Sequence, residues 1–206
     1  MNRCISWVIS VLVISPALAL GADHDTVAQS SAKRLAVGTC AGCHGSSGVS
    51  TMPKFPVLAA QQPSYLVGQL KAFKARTRGD PDALAFMWGI AASLDDAQIT
   101  ELAQYYSSQR APSASADQDR AAVARGREIY EHGIESQNVP NCSACHGSNG
   151  EGLAAVPRIA GQHSQYFLSQ MTSFQLNLRD AVGMREIASN LKPSNLSDLA
   201  AYVQSR

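Results

Sequence analysis

The chain has 206 residues, of which 45% are hydrophobic, and a formal charge of +1. That length holds one large or two small domains, and the apolar fraction is that of a packed protein, not a disordered one. The balanced charge lacks the basic footprint of a nucleic-acid binder and any polyacidic tail.

The first residues read as an export signal. Arg3 supplies a positive start, Ile5 to Ile14 is mostly apolar, Ser15-Pro16 breaks the run, and Ala17-Leu18-Ala19 is a small-x-small cleavage site. The apolar run is too short to span about 30 Å of hydrocarbon comfortably. Residues 1–19 are therefore expected to be cleaved, with Ala22 an equally good cut point, and Cys4 is lost with them. Four cysteines remain.

Residues 31–43 favour a short helix that runs into Cys40-Ala41-Gly42-Cys43-His44. Tyr65, Leu66, Gln69, Leu70 and Phe73 then give the three-and-four spacing of a helix face. Asp95 is placed to cap a further helix carrying Ile99, Leu102, Ala103 and Tyr106. A small, polar segment at 109–119 reads as a linker. Beyond it the pattern returns. Cys142-Ser143-Ala144-Cys145-His146 is followed by Tyr166, Phe167, Gln170, Met171 and Phe174, then by Asn195, Leu196, Leu199, Ala200 and Val203. No alternating strand pattern of useful length occurs.

The two halves align directly. Residues 56–73 match 157–174 without gaps at an offset of 101, with Pro, Ala, Gln, Tyr, Gln and Phe recurring, and Arg78 and Arg179 keep that offset. The offset then falls to 97, which implies about four extra residues in the first copy around Gly79 to Ala83. A period near 100 is a duplicated domain, not a solenoid. The expected domains are 23–108 and 120–206.

Cys-x-x-Cys-His is the attachment signature of c-type haem. Two thiols one helical turn apart reach the two vinyl groups, and the adjacent histidine comes to lie under the iron. Zinc sites usually separate their cysteine pairs by about 15–20 residues, whereas 98 residues lie between Cys43 and Cys142. A thioredoxin-like pair needs a preceding strand and no trailing histidine. The expected cofactors are thus two covalent haem c groups, on Cys40, Cys43 and His44 and on Cys142, Cys145 and His146.

The sixth iron ligand follows from the repeat. Met171 aligns with Leu70, a core position, and Met52 lies only eight residues after His44. Met87 and Met184 match each other within Met-x-x-Ile-Ala-x-x-Leu, 43 and 38 residues after their histidines. They are the expected distal axial ligands, which raise the potential of an electron-transfer haem. His163, whose counterpart is Gln62, is the alternative ligand, with a surface or capping role favoured; His24 and His132 read as solvent-facing. Pro56 and Pro157 could rigidify the loop whose carbonyl fixes each proximal histidine. Arg78 and Arg179 could pair with haem propionates, against a reading as exposed helix-end charges. Lys71, Lys74, Arg76 and Arg78 form a basic stretch only in the first copy, read as a solvated face or a docking patch.

With these residues in place, the chain resembles the dihaem cytochrome c4 family: all-α, two tandem class I cytochrome c-like domains, each wrapped around one covalently bound haem. Gly126-x-x-x-Tyr130 and Val139-Pro140-Asn141-Cys142 add to the likeness. The resemblance implies a periplasmic electron carrier, soluble or peripherally membrane-associated. Its donor would be a cytochrome bc complex or a dehydrogenase and its acceptor a terminal oxidase. An electron-transfer subunit of a periplasmic dehydrogenase is the alternative; a dihaem peroxidase would need one distal methionine displaced. One departure is expected to alter a helix crossing: no glycine equivalent to Gly126 is obvious in the first copy, where Lys33 and Arg34 stand near its place.

Overall fold

The computed structural model describes residues 31–114 and 119–206. The signal-peptide reading, His24 and the start of the first domain lie outside them. The described residues form helices and loops, with two isolated β-bridges, Ile134 to Val139 and Leu153 to Val156, and no strand. None of the helices is long and apolar enough to cross a membrane.

Helical residues 31–35 continue through a π-helical turn at Ala36–Cys40 into α1 (Ala41–His44). The rest of the first half is α2 (Pro63–Lys74), a second π-turn at Ala83–Met87, α3 (Trp88–Ala92) and α4 (Asp96–Ser107). The second half contains α5 (Arg120–His132), a 3-10 turn at Glu135–Gln137, α6 (Ser143–His146), α7 (Ser164–Gln175), α8 (Met184–Asn190) and α9 (Pro193–Gln204).

Local chemistry sets these limits. Proline at the first position of α2 and α9 costs no hydrogen bond and presets the helical φ. Asp95 caps α4 as expected: its Oδ1 accepts from the Gln98 amide at 2.8 Å, and Gln98 Oε1 accepts from the Asp95 amide at 3.0 Å. Both α2 and α7 end in a Schellman turn, with Thr77 N–H on Ala72 O and Leu178 N–H on Ser173 O. The αL residue of each turn is Arg76 or Asn177. These paired turns throw Arg78 and Arg179 back toward the body of the protein. The extra residues of the first copy lie just ahead of and within a helical lead-in, 81–87, that includes the π-turn ending at Met87, and π-turns are frequent at functional sites.

Each half has its own core. Leu66, Leu94, Ile99, Leu102, Ala103 and Tyr106 close the first. Tyr130, Met171, Phe174, Leu196, Leu199 and Tyr202 close the second. In the second half, α5 lies so close to α9 that a Cβ on Gly126 would sit 2.0 Å from the Asp198 carbonyl oxygen. The first half uses small residues too. Ala32 and Ala36, four apart like Gly126 and Tyr130, are 1% and 0% exposed, a pair hidden in the sequence by the Lys33-Arg34 between them.

The halves pack through a pseudo-twofold polar interface. Gln162 Oε1 accepts from the Val57 amide at 2.9 Å, and its Nε2 donates to the Val57 carbonyl at 3.1 Å. Gln61 does the same to Arg158, at 2.7 and 2.8 Å. Deeper, Arg78 donates to Gln69 and Asp80 of its own half and to Tyr166 and Gln170 of the other. Arg179 donates to Gln170 and, across the interface, to Tyr65 and Gln69. Each guanidinium also lies over a phenylalanine, Phe73 or Phe174. Burial alone would lower the Arg78 guanidinium, but the phenols of Tyr166 and Tyr65 and the Asp80 carboxylate raise it.

Three expectations change here. Arg78 and Arg179 are not exposed helix-end charges; both are buried and join the halves. The basic stretch is not one patch: Lys71 faces Asp96, Lys74 donates to the Leu94 carbonyl, Arg76 covers Trp88, and Arg78 is internal. His163 takes the N-cap position of α7 as expected, but it is half-buried and makes no side-chain cap bond; its Nε2 instead lies 2.9 Å from the Ser50 carbonyl oxygen of the other half.

Gly126→Val should destabilise the second half by about 1–3 kcal/mol through overpacking, read as a lower thermal midpoint of the holoprotein. Asp80→Ala removes one partner of a buried ion pair and should cost about 3–5 kcal/mol in denaturant unfolding; exposed Asp180→Ala should stay within about 0.5 kcal/mol of the unsubstituted protein.

Candidate functional site

In the first half, one turn of helix presents the motif. The π-turn ends at Cys40 and α1 ends at His44, so both thiols and the imidazole open onto one apolar cavity. Phe55, Phe86 and Ile90 line its walls, and Met87 enters from the end of the second π-turn. The two π-turns thus deliver Cys40 and Met87 to the same cavity. Phe55 packs edge-on against both His44 and Phe86. In the second half, α6 carries Cys145 and His146 just after Cys142, and Met184 opens α8. Cys142 and Met184 pack against the same core cluster.

Both histidines are buried and held the same way. His44 Nδ1 lies 3.0 Å from the Pro56 carbonyl oxygen, and His146 Nδ1 lies 2.9 Å from that of Pro157. A carbonyl only accepts, so Nδ1 carries the proton and Nε2 keeps its lone pair. Burial lowers both imidazoles below their ordinary value, against the opposing pull of the proline carbonyls, and favours the neutral, metal-ligating form. The prolines, expected only to stiffen the loop, supply the accepting carbonyl themselves.

The four motif cysteines form no disulfide. Burial raises the Cys40 thiol and pushes that of Cys142 up to about 11. A dithiol redox catalyst needs the reverse, a depressed thiol. Among the described residues no group of three His, Cys, Asp or Glu side chains could hold a metal ion, so a zinc site lacks its donor set. Met171 is core, as expected, Met52 is exposed, and His132 is exposed beside Glu128.

The residues present fit a haem. The first cavity combines two free thiols, one imidazole nitrogen, one thioether and aromatic walls. The interface adds a second observation. Two buried guanidiniums meet one buried carboxylate, and Arg179 Nε is buried without a hydrogen-bond partner. A buried cation in excess calls for an anion, and the haem macrocycle carries two carboxylates.

Sequence reasoning missed Gln61, Gln162, Gln69, Gln170 and Asp80 as interface residues. The signal was available for the glutamines, which recur at the 101 offset without being needed by either core.

The cytochrome c family model matches residues 30–110 and 123–206. The chain is 39% identical to cytochrome c-552 of Acidithiobacillus ferridurans, over 81% of this chain and 73% of that one. It is 36% identical to cytochrome c4 of Azotobacter vinelandii, over 80% and 83%. It is also 31% identical to a thiosulfate dehydrogenase electron acceptor of Stutzerimonas stutzeri, over 78% and 74%. The solved structure of Acidithiobacillus ferrooxidans cytochrome c4 superposes with a TM-score of 0.77 at 38% identity, covering 81% of this chain and 98% of that one. The chain therefore belongs to the cytochrome c family, in the two-domain form of the cytochrome c4 proteins: an electron carrier, not an enzyme, with two covalently bound haem c groups.

Proposed function

We propose that this protein is a periplasmic two-site electron carrier of a respiratory chain, passing electrons from a cytochrome bc complex or a dehydrogenase toward a terminal oxidase. Residues 1–19 act as its cleaved signal, and 23–108 and 120–206 fold as its domains on either side of the 109–119 linker. Cys40 and Cys43 hold one haem by thioether bonds, and Cys142 and Cys145 hold the other. His44 with Met87, and His146 with Met184, are the axial ligand pairs. Bound haem iron supplies the one-electron couple.

The observation that carries this reading is the arrangement around each motif. The proline carbonyl fixes the histidine tautomer, and in the first half a methionine enters the same cavity as both thiols and the imidazole. Filling both axial positions with protein ligands leaves none for substrate, which favours a carrier over a peroxidase. The surplus positive charge of Arg78 and Arg179 over Asp80 supports their holding propionates.

A second reading has its own support. The likeness to a thiosulfate dehydrogenase electron acceptor favours a sulfur-compound dehydrogenase as the donor, with this chain as its redox partner. Stopped-flow mixing separates the two. A general respiratory carrier, once reduced, is reoxidised rapidly by oxidase-containing membranes, and the oxidised form is reduced rapidly by the bc complex. Rapid reduction by thiosulfate dehydrogenase and thiosulfate, with no bc-complex activity, would replace the first donor by the second.

Met184→Ala should keep both haems covalently attached and lower the potential of the second site, with loss of its methionine-to-iron absorption band. An unchanged potential and band would rule out Met184 as the ligand.

A further inference from the structure

The carbonyl of Pro56 and the amide of Val57 belong to one peptide group, as do the carbonyl of Pro157 and the amide of Arg158. The first carbonyl is the one that holds His44, at 3.0 Å from Nδ1, and the amide on the same unit donates to Gln162 Oε1 at 2.9 Å. The second holds His146 at 2.9 Å, and its amide donates to Gln61 Oε1 at 2.7 Å. Each chain of bonds therefore runs from a side chain of one half, through one planar peptide, to the histidine of the other half.

We propose that Gln162 is a positioning and tuning residue for His44, and Gln61 for His146, so that each half adjusts the proximal ligand of its partner. The inference rests on the proposed ligation of iron by His44 and His146.

The physics is that of a polarised amide. Peptide resonance couples its N–H and C=O. An acceptor on the N–H increases the negative charge on the carbonyl oxygen, and consecutive hydrogen bonds strengthen one another. A stronger carbonyl acceptor pulls harder on Nδ1–H and makes Nε2 more basic toward a metal. A more basic ligand stabilises the oxidised iron and lowers its potential.

The amide pairings are well built for this. Gln61 and Gln162 are 6% and 8% exposed, so water does not compete freely for the bonds. Each also donates from Nε2 to the carbonyl of the same residue, Arg158 at 2.8 Å or Val57 at 3.1 Å. That second bond fixes the plane of the side-chain amide. Each Oε1 additionally accepts from the next backbone amide of its own half, Gln62 at 2.9 Å or His163 at 3.1 Å. The glutamines are thereby anchored just ahead of α2 and α7 and cannot swing freely away.

The test is a potential measurement on the holoprotein, site by site. Ferric haem-methyl proton resonances, assigned to the second haem by their disturbance in Met184→Ala, follow each haem through a redox titration. Gln162→Leu removes both bonds to Val57, and the one from the His163 amide, while keeping a side chain of comparable bulk. It should raise the potential of the first haem by about a threefold change in its reduction equilibrium, about 28 mV at 59 mV per decade, and leave the second unchanged. Gln61→Leu should raise only the second. Gln162→Glu retains an oxygen acceptor and should keep the first haem at or below its original potential, a result that loss of packing would not give. Ser64→Ala deletes a different cross-interface bond, to the Ala154 carbonyl, and should move neither.

Equal shifts at both haems, a shift in the wrong half, or the same shift from Ser64→Ala would overturn the proposal and leave the glutamines as structural contacts. So would a rise in Gln162→Glu, which also decides the matter if the leucine variants fail to accumulate. Absence of histidine–methionine spectra in the unsubstituted protein would instead sink the ligand assignment.

Discussion

A buried guanidinium needs several acceptors around it, and for Arg78 and Arg179 one half of this protein does not supply them alone. Arg78 draws on Tyr166 and Gln170 from the opposite half, and Arg179 on Tyr65 and Gln69. Removing those partners while the halves stay docked would leave two desolvated cations partly unpaired, at a cost of several kcal/mol each. This reciprocal demand holds α2 and α7 in register. The register places Gln61 and Gln162 on the proline loops, and those loops hold the histidines. The order of the haem sites thus begins at an interface, not within either core.

Two layers of the design are separable. The cores of the halves follow ordinary helical packing, with small residues where helices meet: Gly126 against Asp198, and Ala32 with Ala36 in the first copy. The haem-facing layer departs from ideal geometry. Two π-turns, each one residue wider than a regular turn, end at Cys40 and Met87. A wider turn rotates the next side chain off the regular helical face, and here Cys40 and Met87 both line the cavity.

Much of this was legible in the residues. The Cys-x-x-Cys-His pairs, the 101-residue offset and the matched methionine motifs are local patterns, and local patterns survive without coordinates. Asp95 as a helix cap and Met171 as core were readable for the same reason. Arg78 and Arg179 were harder, because a charge at the end of an amphipathic helix is usually solvated; only the docking of a second domain buries it. His163 and the recurring glutamines went unread likewise, since their partners across the interface lie 90 to 113 residues away. The π-turns leave no mark in hydrophobic periodicity, and the inserted residues around Gly79 were the sole hint of the second.

The exchange of Gln61 for Gln162 across the interface is isologous, the arrangement two copies of one chain make around a twofold axis. In such a dimer every substitution is present twice and every gain at one site is repeated at the other. Fusion into one chain lifts that constraint. Asp80 is what the freedom looks like: a carboxylate buried against Arg78, in the stretch where the first copy carries about four residues that the second lacks. A symmetric pair has no inside direction, whereas this one has a first half and a second half that differ in buried charge, and so a gradient along which an electron can have a preferred side.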